Sequence, residues 1–267
     1  MPVNLGREVK RLLCYSSGAM RGVYYAGVMT ALDEAGIKFS DIAGVSVGST
    51  AAVWHAAGQI HEVFDAWEAL CSYSLSPHPL FNTSRSRNLD WLITNVSLPF
   101  LDMDRLKASN IRVHIAASRI FSPLNMLKGK VFERRYFRFQ GDFQAHELVD
   151  AIRASCYMPF INGIFSSKRI DGVRYLDGGL TGRIPVDCVD TAVFDEVWIA
   201  AASPNGVREL FNMGLNTQGD TEFIFIVPSI ALPTARGEID LEKFKAGFQL
   251  GLEDTGAIIK TREQGTG

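Results

Sequence analysis

The sequence predicts an α/β fold: a three-layer α/β/α sandwich with a mostly parallel central sheet. Successive strand-turn-helix units open the chain, later strand candidates are the unbroken apolar runs that a doubly covered sheet needs, and no linker, repeat or low-complexity tract interrupts it. With 267 residues, 47% hydrophobic and 21% charged, the composition is that of a globular protein, and we expect one domain over residues 1–267.

Arg11–Tyr15 is a short apolar run that ends in Ser16-Ser17-Gly18, a strand leading into a glycine turn. Gly22–Ala35 then carries Val23, Ala26, Met29 and Leu32 at helical spacing before Gly36 stops it. The pattern repeats with a strand at Asp41–Val45, a tight turn at Ser46–Gly48 and an Ala-rich helix at Ser49–Gly58. Further strands are predicted at Ile111–Ser118, Val197–Ala202 and Phe223–Val227, and helices at Ile60–Ser72, Asn88–Val96, Gln144–Ser155 and Leu241–Ile259. Lys168–Leu180 reads as a hairpin leading to another loop.

The net charge of −2 offers no global attraction to nucleic acid or anionic membrane. Arg7, Glu8, Lys10 and Arg11 interrupt the apolar stretch an export signal needs, and Ile42–Ile60, though free of charged side chains, is too polar for a membrane helix, so a cytoplasmic location is expected. Cys14, Cys71, Cys156 and Cys188 are too scattered for a zinc site or a disulfide framework and read as reduced thiols.

Gly44-Val45-Ser46-Val47-Gly48 matches G-x-S-x-G and lies between a predicted strand and a predicted helix, where flanking glycines permit a sharp turn that lifts the serine hydroxyl out of the sheet edge. The competing reading is a serine that merely caps the helix. A nucleophilic serine needs a base, and an α/β-hydrolase would supply a histidine late in the chain. The histidines here are His55, His61, His78, His114 and His146, none in that place. Asp177-Gly178-Gly179 offers a carboxylate at the end of a strand with no bulky neighbour to screen it, although a simple surface turn has the same composition.

These residues resemble the patatin-like phospholipases. Ser17-Gly18-Ala19-Met20-Arg21-Gly22 lies where that family has a G-G-G-x-R-G oxyanion loop, and Gly44–Gly48 is its G-x-S-x-G. Ala154-Ser155 with Pro159-Phe160 is similar to its A-S-x-x-x-P segment, and Asp177–Gly179 to its D-G-G. Ser17 and Ala19 depart from the loop's glycines; each keeps a backbone N–H but adds a Cβ. The resemblance implies a Ser46–Asp177 dyad that hydrolyses lipid esters, with Gly18, Ala19 and Met20 as the oxyanion hole and Arg21, Gly22, Gly44, Gly48, Gly178 and Gly179 supporting the loops. It also implies no cofactor and no metal ion. Arg21 either pairs with a carboxylate to hold its loop or contacts an anionic head group. The rivals are a lipid-binding or regulatory protein whose altered loop has lost catalysis, and an ordinary α/β-hydrolase with an unidentified histidine.

Between Arg119 and Arg138, Arg119, Lys128, Lys130, Arg134, Arg135 and Arg138 face only Glu133, interleaved with Phe132, Tyr136 and Phe137. Such a stretch forms a hairpin with one wet face, a peripheral membrane surface or, least favoured, a single-stranded nucleic-acid surface; no nucleic-acid partner is expected. Leu80-Phe81, Trp91-Leu92-Ile93 and Leu98–Leu101 either cap an acyl-chain pocket or fill the core.

Overall fold

The computed structural model describes residues 9–75, 86–121, 131–158, 162, 167–212 and 220–265. In chain order its elements are β1 (Arg11–Tyr15), α1 (Val23–Glu34), β2 (Asp41–Val45), α2 (Val47–Ala56), α3 (Val63–Leu70), the short strands β3 (Ser74–Leu75) and β4 (Ser86–Arg87), α4 (Leu89–Leu92), α5 (Met103–Ala108), β5 (Arg112–Ile120), β6 (Phe132–Phe139) and α6 (Ala145–Ser155). The rest comprises β7 (Lys168–Ile170), β8 (Val173–Asp177), β9 (Glu196–Ala200), α7 (Pro204–Asn212), β10 (Glu222–Ile226) and α8 (Leu241–Gly265).

The sheet runs β10-β9-β1-β2-β5-β8-β7, parallel from β10 to β5, and β6 pairs with β5 off this path. Period-two alternation sends Leu13 and Tyr15 of β1 to one face with Trp198 and Ala200 of β9, and Leu12 and Cys14 to the other with Val197 and Ile199. The first face carries the larger core, covered by α1, α2 and α3. The second, smaller cluster is closed by Ile184, Val186, Cys188 and Phe194 and by Leu210 of α7. The chain thus forms a mostly parallel α/β sandwich whose second outer layer is thin.

Strand β5 decides where the site lies. Its residues 113–120 pair with β6 along one edge. Its other edge is shared: β2 occupies it in parallel up to Val45↔Ala116, and antiparallel β8 takes over at Asp177↔Ala117. The last residue of β2 and the last residue of β8 therefore face consecutive positions of one strand, so the turn after β2 opens beside the end of β8. A Cβ on Gly178 would stand 2.3 Å from the Ala116 carbonyl oxygen and 3.2 Å from Val45 Cγ1, so only glycine lets the two chain ends meet.

Helices α1 and α8 cross at glycines. A Cβ on Gly27 would lie 2.0 Å from the Phe248 carbonyl oxygen, and one on Gly251 2.1 Å from that of Tyr24. The Tyr24 hydroxyl donates to Asp254 Oδ2 at 3.0 Å beside this crossing. No helix among the described residues is long and apolar enough to cross a membrane. In the basic stretch Arg119 and Arg135 pair with Glu133, Arg134 pairs with Asp187 and Arg138 donates to the Cys188 carbonyl, while Lys128 and Lys130 lie outside the described residues. The hairpin reading accounts for these four arginines.

Gly27→Ala is expected to destabilise the protein by about 2–3 kcal/mol through overpacking. Gly256→Ala, on the open side of α8 where a Cβ would meet nothing within 4 Å, should stabilise it by about 0.5–1 kcal/mol. Urea denaturation of both variants checks the pair, and a Gly27→Ala protein as stable as the parent refutes the close crossing.

Candidate active site

Ser46 sits at the strand-to-helix corner between β2 and α2 with φ 54° and ψ −127°. A non-glycine residue holds such a backbone only where its surroundings over-determine it. Here the Ser46 amide donates to Ser155 Oγ at 2.8 Å, and the Ser155 hydroxyl donates in turn to the Ala116 carbonyl at 2.6 Å. The Ser46 carbonyl accepts from both the hydroxyl and the amide of Ser49. The flanking glycines have a steric reason: a Cβ on Gly44 would be 2.1 Å from the Gly48 carbonyl oxygen, and one on Gly48 2.3 Å from that of Tyr15.

Asp177 closes β8 with its amide bonded to the Tyr157 carbonyl at 2.9 Å and its own carbonyl accepting from Ser118 Oγ at 2.8 Å. Its Oδ1 accepts from the Gly179 amide at 2.7 Å, whereas Oδ2 is buried with no hydrogen-bond partner among the described residues. Burial pushes this carboxyl from its ordinary 3.8 up to about 6, against the Ser46 hydroxyl and the Gly179 amide, which favour the charged form. Both side chains are shielded from water, Ser46 at 6% exposure and Asp177 at 4%. Cys156 adjoins both, but burial and the Asp177 charge push its thiol well up, which removes it as a nucleophile.

The loop before α1 is tied down from three directions. The Ser17 amide donates to the Arg183 carbonyl at 3.0 Å, the Met20 amide to the Arg236 carbonyl at 3.2 Å, and the Tyr25 hydroxyl to the Ser16 carbonyl at 2.9 Å. A Cβ on Gly22 would meet Val47 Cγ2 at 2.2 Å, so the loop lies directly against the residue after Ser46. The amides of Gly18 and Ala19 donate to nothing among the described residues. Met20 departs from expectation: its N–H is committed to Arg236 and is not free for an oxyanion. Ala19 has φ 53°, a conformation glycine adopts without cost. Arg21 forms no ion pair among the described residues; its Nε donates to the Thr234 carbonyl at 3.3 Å.

Ser46 opens onto an apolar cleft bounded by Ala19, Met29, Trp54, Trp67 and Leu92 among others. Ile93 also lines it, whereas Leu98 and Leu101 belong to the core, so the two readings of that apolar region divide between them; Leu80 and Phe81 lie outside the described residues. No histidine lines the cleft among the described residues. His55 is bonded to Tyr15 at 2.7 Å, with its pKa lowered to about 4 by burial, and His114 is bonded to Asp41 at 2.9 Å. His61 and His146 are exposed, and His78 lies outside the described residues.

The profile of the patatin-like phospholipases matches residues 13–190, two thirds of the chain, with Ser46, Asp177 and the loop before α1 all inside the match. The chain belongs to the patatin-like phospholipase family. That membership supports lipid hydrolase activity. Among solved structures it is similar to VipD from Legionella pneumophila at 13% identity and a TM-score of 0.50, covering 96% of this chain and 67% of that one. It also matches the ExoU–SpcU complex of the Pseudomonas aeruginosa type III secretion system at 15% identity and a TM-score of 0.44, over 96% of this chain and 52% of that one. In this patatin-like chain, sequence reasoning missed one supporting residue. Ser155 was legible as a motif position but not as the brace of the Ser46 amide, since its partners come from β2 and β5; Pro159 and Phe160 of the same motif lie outside the described residues.

The folded Asp177 carboxyl titrates near 6 and the unfolded one near 3.8, so the folded protein binds the proton more tightly and loses stability as pH rises through that window. Above it, the buried charge costs about 3 kcal/mol. Asp177→Asn should therefore be more stable than the parent by up to about 3 kcal/mol at pH 8 and nearly equal to it at pH 4, as read from urea midpoints. Ala19→Gly should gain about 1 kcal/mol by removing the Cβ from a left-handed backbone; a loss in thermal or urea stability contradicts the strain.

Proposed function

We propose that this protein is a serine carboxylic-ester hydrolase acting on lipid acyl esters of the phospholipid and lysophospholipid type, with Ser46 as nucleophile and Asp177 as general base. The observation that carries this reading is the buried Asp177 carboxylate, whose Oδ2 has no partner among the described residues and whose charged form the Ser46 hydroxyl favours, with Ser46 itself lining an apolar cleft. Ser46 Oγ attacks the ester carbonyl carbon as its proton passes to Asp177. The carbonyl π electrons move to oxygen, and the resulting oxyanion takes the Gly18 and Ala19 amides, each donor being worth about 2.7–4 kcal/mol in comparable sites. Collapse breaks the ester C–O bond, and Asp177 returns the proton to the departing alcohol. Water then attacks the acyl-serine with Asp177 again accepting a proton, and that proton goes back to Ser46 as the fatty acid leaves.

Burial matters to this chemistry. A carboxylate titrating near 6 is a stronger base than a free aspartate yet remains ionised at neutral pH. Even so it is weaker than an imidazole-type base, which favours esters and thioesters over amides. The apolar cleft supports an acyl chain on the carbonyl side. Arg119–Arg138 remains a candidate for peripheral membrane contact, through residues other than those its own ion pairs occupy.

The second reading, a binder without catalysis, is favoured by one feature, the Ala19 Cβ in a strained loop. A fluorophosphonate probe separates the two: stoichiometric labelling at Ser46, absent in Ser46→Ala, supports the enzyme, and folded protein left unlabelled supports the binder. For the enzyme, kcat/KM on a short soluble ester is expected to rise with pH through an apparent pKa near 6, as Asp177 loses its proton, and Asp177→Asn should abolish the activity. Full activity at pH 4.5 rules out Asp177 as the base.

A further inference from the structure

Two helix faces fix the length of the apolar cleft. They start side by side, because a Cβ on Gly22, just before α1, would meet Val47 Cγ2 at the head of α2 at 2.2 Å. From there α1 and its cap line the cleft with Gly22, Ala26 and Met29. Helix α2 lines it with Val47, Thr50, Ala51 and Trp54, the i, i+3, i+4, i+7 spacing of a single helix face. Strands β1 and β2 are parallel and both helices cover the same face of the sheet, so α1 and α2 run in one direction away from Ser46. Both walls stop at the same depth: the next positions on those faces, Leu32 and Asp33 on one helix and Ala57 and Gly58 beyond the other, do not line the cleft. Met29 and Trp54 are themselves buried, at 0% and 2% exposure, and form an inner end wall.

The remaining walls are held from outside. Trp67 of α3 packs edge-on against Phe244 of α8 with ring centroids 5.3 Å apart. Helix α4, which contributes Leu89 and Leu92, is tied to α6 by the Arg153 guanidinium, whose Nε and Nη2 donate to the two Asp90 carboxylate oxygens at 2.7 and 2.6 Å. Met29 stands seven positions after Gly22, and Trp54 seven after Val47, so at about 1.5 Å per residue the cleft is roughly 10 Å deep. Helical side chains lean toward the N terminus, which puts the wall no deeper than its own Cα positions. An extended chain advances about 1.2 Å per bond, since a peptide residue with its three bonds spans at most about 3.6 Å. A straight hydrocarbon whose carbonyl lies at Ser46 therefore meets Met29 and Trp54 after roughly eight to ten carbons. A longer chain has to bend inside the cleft or draw its carbonyl away from Ser46.

We propose that Met29 and Trp54 are the residues that determine chain length, closing the cleft so that the enzyme prefers esters of medium-chain acyl groups, octanoyl to decanoyl, over long-chain ones. This rests on the hydrolase reading, since it assigns the acyl side of the same substrate. Each methylene added up to the wall is taken out of water against apolar side chains, and any added beyond it gains no such burial. Ala51, partway along the α2 face, marks where a larger side chain would bring the end of the cleft nearer to Ser46. Met29, Ala51 and Trp54 select the substrate and take no part in the bond-breaking steps.

The test has an arm that does not need turnover. Titration calorimetry of the intact Ser46→Ala protein with monomeric alkanoates should show affinity rising about fourfold per methylene from butanoate toward decanoate, and no further gain at tetradecanoate. In the active protein, kcat/KM for 4-nitrophenyl esters over the same series should peak at octanoyl to decanoyl. Trp54→Ala, and separately Met29→Ala, should raise the tetradecanoyl-to-decanoyl ratio by about tenfold or more, while Ala51→Leu moves the peak to hexanoyl or shorter. A cooperative urea transition shows which variants are folded; Met29→Ala and Ala51→Leu keep the test open where the larger cavity of Trp54→Ala prevents folding. Activity that climbs without a break to tetradecanoyl overturns the proposal, as does an unmoved peak in the folded variants. So does Ser46→Ala protein that binds no alkanoate or binds all of them equally. Hydrolysis absent from every ester, with alkanoate affinity still breaking at decanoate and breaking earlier in Ser46→Ala/Ala51→Leu, overturns the hydrolase reading and leaves the end wall standing.

Discussion

The arrangement depends on the shared edge of one strand. β5 accepts β2 up to Ala116 and β8 from Ala117, and this exchange of partners between consecutive residues brings the Ser46 corner and the Asp177 carboxylate together. Two chain ends pointing at one another leave backbone groups that the ladder no longer satisfies, and the neighbours take them up. Ser155 bridges the Ser46 amide and the Ala116 carbonyl, Ser118 bonds the Asp177 carbonyl, and the Asp177 amide reaches Tyr157. Fixed in this way, the corner tolerates neither a side chain at Gly178 nor one at Gly44 or Gly48, because each would meet a carbonyl oxygen.

The sequence made the local parts of this legible and left the long-range ones hidden. G-x-S-x-G and D-G-G mark backbones that need glycine for steric reasons, so motif and structure express the same constraint. β1 and β2 were predicted at their observed bounds because a covered parallel strand is a plain apolar run. β6 was anticipated only as part of a hairpin over Arg119–Arg138 and without bounds, since Glu133, Arg134, Arg135 and Arg138 break the apolar pattern; in the fold Arg134 bonds Asp187 and the carbonyls of Gly182 and Ile184, and Arg138 that of Cys188. α8 runs past the predicted Ile259 because Arg262 bonds Glu222 and Glu196 on the sheet, a tertiary anchor that helical periodicity cannot reveal. Met20 was assigned as an oxyanion donor for the same kind of reason: nothing local shows that its amide is taken by Arg236, 216 positions along the chain.

The site is also where the molecule gives up stability. Ser46 and Ala19 occupy left-handed backbone, and Asp177 holds a charge away from water. Each of the two backbone positions costs on the order of 1–3 kcal/mol. Such costs persist only where the surroundings permit no relaxed alternative, and the brace at Ser155, the two hydrogen bonds that Ser49 donates to the Ser46 carbonyl and the three anchors on the loop are the means. A serine that only capped α2 would need none of them; its own side chain makes no capping bond to that helix.

The division of labour in the loop before α1 follows from the same economy of positions. Among the described residues Gly18 and Ala19 keep their amides uncommitted because the neighbouring amides of Ser17 and Met20 carry the anchoring, to the carbonyls of Arg183 and Arg236. A loop held through Gly18 or Ala19 would be as rigid but would have no donor left for developing charge. Anchoring through the flanking residues leaves two adjacent N–H groups without a partner among the described residues, with Ala19 on the wall of the apolar cleft.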